Sequence, residues 1–360
     1  MKSASLAALL CAASVLIASP ASAAEQSWVD RIRFKGDVRL RYESIDEEFA
    51  AKRERMRFRA RFGFTADVRD DLQVVLQLAS GGDNPVSTNQ TFDDGFSRKD
   101  IGLDLAYVDW RVNESLTIQA GKMKNPVFKA GKVPLIWDSD LNPEGFAARF
   151  RSDRMFGTVA IFSVEERSSA DDSLLTVVQA GAKFALGEAW KLTVGAGYFA
   201  YSNTVGNRPF YNGKARGNSV DTDGDYLFEY KDTEVFAQVE STFYDLPLQV
   251  FVHFAQNNAV STQDKAFSLG IKLGSAKERG QYEFAWIYQD IEADAVIGTY
   301  NDSDFAGGGT DSRGHILKVK VGLARKIFFA GTLFVNAKDR FQDIEHDYTR
   351  VQIDIEFRFD

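Results

Sequence analysis

Arg53, Arg55, Arg57, Arg59 and Arg61 occupy every second position of the stretch RERMRFRARF, with Met56, Phe58, Ala60 and Phe62 between them. On an extended strand this spacing sets five guanidinium groups on one face and mostly apolar side chains on the other. Such an array attracts anions and can grip carboxylate oxygens, here in a chain of net charge −8. Just upstream, Lys35, Arg39 and Arg41 alternate in the same way, with Asp37 and Glu43 interspersed. Like charges this close together need water, counter-ions or carboxylates opposite them.

Groups suited to bond-making catalysis are sparse. His253, His315 and His346 are the imidazoles, no G-x-S-x-G elbow is present, and no spacing brings a serine and an acid to any of them. Asp221-Thr222-Asp223-Gly224-Asp225 sets oxygen ligands two apart, as in part of a calcium loop, without the distal glutamate. It reads as an acidic outer loop with a tight turn, a weak divalent site being the alternative. Gly307-Gly308-Gly309 reads as flexible surface, since no helix follows to cradle a phosphate. The sequence implies no cofactor, no metal centre and no nucleic-acid partner.

The elements that carry the arginines follow from the rest of the chain. Lys2, the apolar run Leu6 to Ile17 and the small residues Ala21-Ser22-Ala23 predict a signal peptide over 1–23, cleaved before Ala24. Cys11, the lone cysteine, lies within it, so the exported domain over 24–360 has neither a disulfide framework nor a thiol nucleophile. No stretch of that domain approaches the ~20 apolar residues of a membrane helix.

Period-two alternation recurs instead, as in Leu248, Val250, Val252 and Phe254 against Gln249 and His253. It predicts sixteen strands: 32–44, 53–67, 72–80, 101–111, 115–122, 144–151, 154–164, 173–185, 189–201, 228–244, 247–256, 264–274, 280–290, 314–325, 328–338 and 347–359. Asp109 breaks the pattern by falling on the apolar register of its strand, as a bulge or a position at the membrane edge would allow. The connections alternate between short, such as Ser152-Asp153 and Gly187-Glu188, and long, such as 81–100 and 123–143.

That alternation is the pattern of an outer-membrane barrel, with short periplasmic turns and long external loops. A closed, 16-stranded antiparallel transmembrane β-barrel pairs every backbone group within hydrocarbon and is wide enough for water. A charged side chain at the bilayer midplane costs about 2–4 kcal/mol, so the arginines must face the lumen. Lys35, Arg39, Arg41, Arg53, Arg55, Arg57, Arg59 and Arg61 are therefore the expected pore lining. The loop 123–143 carries Val133, Leu135, Ile136 and Trp137, which a freely solvated loop would seldom combine. It is expected to fold inward as a constriction, with a cap over the barrel mouth or a subunit contact as the alternative.

The stretches AYVDW (Ala106 to Trp110), GKMKNP (Gly121 to Pro126) and above all WDSDLNPEG (Trp137 to Gly145) resemble the Putative porin family of Gram-negative outer membranes. The resemblance implies passive diffusion of small hydrophilic solutes or ions through a barrel channel. By analogy with general porins it sets Asp138, Asp140 and Glu144 on the constriction loop, across from the arginine ladder. The same analogy implies a homotrimer in contact with outer-membrane lipid and lipopolysaccharide, although no subunit face stands out in the sequence. A non-conducting structural or adhesive barrel is the main alternative, and a barrel enzyme is a more distant one.

Overall fold

The computed structural model describes residues 28–341 and 344–360; the expected signal peptide lies outside them. Sixteen long strands run in chain order. The first eight are β1 (Ile32–Glu47), β2 (Arg53–Arg69), β3 (Leu72–Ser80), β4 (Ile101–Arg111), β5 (Leu116–Lys122), β6 (Glu144–Arg151), β7 (Met155–Glu165) and β8 (Ser173–Leu186). The second eight are β9 (Trp190–Tyr201), β10 (Lys231–Phe243), β11 (Leu246–Asn257), β12 (Lys265–Gly274), β13 (Tyr282–Ile291), β14 (Ser312–Ala324), β15 (Ile327–Lys338) and β16 (His346–Phe359). A two-residue strand, Gln90–Thr91, adds to the edge of β2 above the end of β3.

Each long strand pairs antiparallel with its neighbours in sequence, and β1 pairs with β16 as well as β2, so the sheet closes on itself. Closure leaves no free edge, which hydrocarbon requires. All sixteen predicted strands are present with ends shifted by no more than three residues.

Alternation decides which side chains meet lipid. Val38, Leu40, Met56, Phe62, Val252 and Ile353 point outward and are exposed, whereas Asp37, Arg41, Glu43, His253, Gln352 and Asp354 point inward and are buried. Asp109 is resolved by a bulge five residues earlier than its own position. Gln77 pairs with Leu105 and Leu78 with Leu103, leaving Asp104 as the extra residue. The register of β4 flips there, so Asp109 faces the lumen and accepts a hydrogen bond from Gln119 Nε2 at 2.7 Å.

Candidate functional site

The ladder survives because carboxylates are woven into it by register. Asp37 lies opposite Arg61, Arg39 opposite Arg59, Arg41 opposite Arg57 and Glu43 opposite Arg55 across β1 and β2. On the other side of β1, Arg39 faces Glu356 and Arg41 faces Asp354 on β16. Arg59 Nη2 sits 2.6 Å from Asp37 Oδ1, and Arg61 Nε donates to Asp37 Oδ2 at 2.8 Å. Arg41 grips Asp354 with two hydrogen bonds of 2.7 and 2.9 Å. Glu43 is fully buried and takes Arg55 and Arg350, with Arg57 Nη1 3.6 Å away.

The loop 123–143 folds into the barrel from the wall opposite the ladder. Gln179 holds Phe128 through both backbone groups at 2.8 and 2.9 Å, Gln238 Oε1 accepts the Gly131 N–H at 2.8 Å, and Thr158 donates to the Pro126 carbonyl at 3.1 Å. These three side chains project inward from β8, β10 and β7. Phe128 packs between Phe156 and Phe236 at ring distances of 5.0 and 5.1 Å. Val133, Leu135, Ile136 and Trp137 are buried, and full burial of such side chains is worth roughly 1.5–3 kcal/mol each. Trp137 Nε1 donates to the Tyr201 hydroxyl at 2.9 Å.

A second inward loop meets it, one whose glycines suggested exposed surface. Residues 292–311 carry two short 3-10 turns, Gly298–Tyr300 and Phe305–Gly307, and bury Phe305, Ala306, Asn301 and Thr310. Positive φ angles of 81°, 95° and 101° at Gly307, Gly308 and Gly309 bend the chain back on itself. The two loops join where Asn301 Nδ2 donates to the Leu135 carbonyl at 3.0 Å and Asp138 Oδ2 accepts the Ser303 N–H at 2.8 Å.

The expected partners of the ladder are redistributed accordingly. Asp138 is buried and holds the Asp140 and Ser303 N–H groups, so it does not reach an arginine. Burial, with Asp302 and Asp140 nearby, raises its carboxyl well above the ordinary range. Glu144 pairs with Lys122 at 2.8 Å and shares its strand face with the outward Phe146 and Phe150. Asp140 does reach across, 3.7 Å from Arg61 Nη1. The loop carboxylate that serves the upper ladder is Asp304, which pairs with Arg41 at 3.1 Å and Arg350 at 2.7 Å. Its charge is favoured by these arginines against the cost of burial, which holds its carboxyl well below the usual range.

The lining residues divide into three groups. Arg53, Arg55 and Arg57 line an outward-opening cavity of about 610 Å³. Arg41 and Arg59 are buried in their ion pairs, and Arg39 donates to Asn89 Oδ1 at 2.6 Å; these three line neither that cavity nor the inner one described next. Lys35 and Arg61 line a cavity of about 520 Å³ on the side of the short turns, together with Lys277, Arg325 and Lys326.

A third cavity of about 830 Å³ opens on the long-loop side, lined by Trp137, Tyr201, Tyr211, Tyr300 and the carboxylates Asp83, Asp100, Glu144 and Glu165. It shares Thr88, Asp104, Asp140 and Asn142 with the inner cavity. Around this shared wall, Asn142 Nδ2 and Gln77 Nε2 both donate to Asp104, at 2.7 and 2.6 Å, and Arg61 faces Asp140. Lys124 lines the inner side; burial and the charges of Arg61 and Lys35 hold its ammonium below its ordinary value. Where the two cavities adjoin, cations and carboxylates stand face to face.

The remaining motifs have structural roles. His253 Nε2 lies 2.7 Å from Glu234, which also accepts from Gln179 beneath the inward loop. His315 lies near Trp286 and Tyr288 in aromatic contact. Asp221 Oδ1 accepts the N–H groups of Asp223 and Asp225 at 2.9 and 3.0 Å, which makes it a turn-forming side chain.

With this geometry in place, comparison with known proteins is decisive. The sequence model of the family described as "Putative porin" matches residues 46–227 and 228–359. The chain belongs to the Putative porin family. This porin is similar in fold to Pseudomonas putida OprB, with a TM-score of 0.62 at 13% identity over 92% of this chain and 95% of the other. A Rhodopseudomonas blastica porin carrying five substitutions gives 0.55 at 10% identity, over 91% and 100%. Vibrio cholerae OmpT lacking loop L8 gives 0.50 at 14% identity, over 91% and 99%. A comparison with curated protein sequences gives no match. The porin is an outer-membrane β-barrel protein.

Proposed function

We propose that this porin is a passive diffusion channel for small hydrophilic solutes and ions, and that it performs no catalysis. The observation that carries the reading is the shared wall: cavities opening toward opposite ends of the barrel have Thr88, Asp104, Asp140 and Asn142 in common. Solute would pass from the acidic, aromatic outer cavity through the gap between Arg61 and the loop residues Asp140 and Lys124. The arginine ladder then meets the acidic loop at its inner end only. Its middle members fix the wall, and its outer members lie beside the route. His253 is buried against Glu234 rather than exposed to a solute.

The extent of loop packing favours one rival, a plugged and non-conducting barrel. Planar-bilayer reconstitution separates the two. Discrete conductance steps are expected, reduced by Thr88→Trp, which narrows the shared wall; a bilayer silent at all voltages would establish the plug. A homotrimer contacting lipopolysaccharide belongs to the same reading by analogy with general porins, and cross-linking in native membranes tests it.

A further inference from the structure

The outward cavity beside Arg53, Arg55 and Arg57 has a composition that passive conduction does not require. Its wall holds six cations, Arg53, Arg55, Arg57, Arg216, Lys338 and Arg350, against two carboxylates, Glu47 and Asp304, with the buried Glu43 behind Arg55, Arg57 and Arg350 as a third. It shares no lining residue with the inner cavity, and only Asn84 and Tyr211 with the other outer cavity. The partition between the two outer cavities is tied by the Tyr211 hydroxyl donating to Asp83 at 2.9 Å and by Ser303 Oγ donating to the Val86 carbonyl at 2.8 Å. Asp304 stands in its wall, and the Asn89 carbonyl accepts from Arg57 Nη2 at 3.3 Å. The recess is a side chamber set apart from the inner cavity.

Its cations are incompletely satisfied by the protein. Arg57 is only 9% exposed, yet its Nε has no hydrogen-bond partner among the described residues. Arg53 and Arg216 form no ion pair of 4.0 Å or less among the described residues. Arg53 and Arg216, exposed on the chamber wall, leave guanidinium donors that a bound oxyanion would engage. We infer that this chamber is a binding site for a free organic phosphate of sugar-phosphate size. A phosphate monoester brings about two negative charges and three strong acceptor oxygens to the cationic excess, which a single carboxylate would not match. The chamber of about 610 Å³ lies within the size range of small-molecule sites and exceeds what inorganic phosphate alone would fill. Gly307, Gly308 and Gly309 in its wall leave room for the rest of the ligand.

The test is calorimetric titration of the full barrel in detergent with glucose 6-phosphate, with glucose as the neutral comparison. Saturable binding of glucose 6-phosphate alone is expected, weakened about tenfold or more by Arg53→Ala with Arg216→Ala, the two chamber cations without ion pairs. Intact heat-modifiable gel mobility of the double variant would show that the barrel still folds. Equal binding of glucose, no binding of glucose 6-phosphate at millimolar concentration, or unchanged binding in the folded variant would overturn the assignment. Uptake of a short-chain phosphatidic acid in preference to glucose 6-phosphate would overturn the free-solute source. Conductance in phosphate-free salt is independent of this outcome, so failure of the site and failure of the channel reading are distinguishable.

Discussion

Arg61 on β2 and Asp140 on the inward loop stand 3.7 Å apart across the lumen, joining the arginine ladder to the loop that crosses the barrel. Arg61 also holds Asp37 on its own wall at 2.8 Å, so its orientation is fixed from behind. The pair lies beside the wall that the outer and inner cavities share.

Ion selectivity should therefore respond at Arg61 more than at Arg41 or Arg59. Arg61→Ala is expected to shift the reversal potential in a potassium chloride gradient toward cation preference, by roughly twofold or more in permeability ratio at low salt. Asp140→Asn should shift it the other way. Equal reversal potentials for wild type and both variants would place the passage elsewhere.

Removing Glu43 should damage the wall itself. Its carboxylate is inaccessible to solvent and bridges Arg55 and Arg350. Glu43→Gln leaves Arg55 without its carboxylate and Arg350 with Asp304 alone, and breaking a buried ion pair costs about 3–5 kcal/mol. The expected result is a lower temperature for conversion of the folded to the unfolded gel band.

Gly131→Ala should loosen the inward loop. A Cβ there would lie 2.3 Å from the Phe251 ring, at a φ of +58° that favours glycine. Overpacking of this kind costs roughly 1–3 kcal/mol. Faster proteolysis within 123–143 and noisier, larger conductance steps are expected, with the barrel still heat-modifiable.

Alkaline conditions should tighten that loop. Lys129 donates to the carbonyls of Trp137 and Asp138 at 2.7 and 2.9 Å, and burial lowers its ammonium to about 8 from an ordinary 10.5. Between those values the unfolded chain binds the proton and the folded chain does not, so stability rises with pH through the window. Lys129→Met should abolish that rise in thermal-unfolding midpoint measured from pH 8 to 10.5.

The strands were legible because a barrel wall imposes a period of two at every position, with lipid on one side and water on the other. Predicted and observed limits coincide for 72–80, 101–111 and 144–151. Asp109 breaks the register by way of the bulge that its place on the apolar face allowed: one extra residue at Asp104 turns the rest of β4 over, which changes parity without changing composition. Glu144, set with Asp138 and Asp140 by analogy with general porins, begins a strand, follows its alternation to the face of Phe146 and pairs with Lys122 at the rim of the outer cavity.

The sequence by itself determined the barrel, its strand number, the inward face of the ladder and the apolar character of the loop 123–143. Each of these follows from local alternation or local composition, which the bilayer reads residue by residue. Only the tertiary structure decided which carboxylates meet which arginines. Closure of β1 onto β16 brings Asp354 and Glu356 to Arg41 and Arg59, and the fold of 292–311 brings Asp304 to Arg41 and Arg350. These contacts join residues as far as 313 positions apart. Charges pair by distance in space, and no periodicity along the chain encodes that distance.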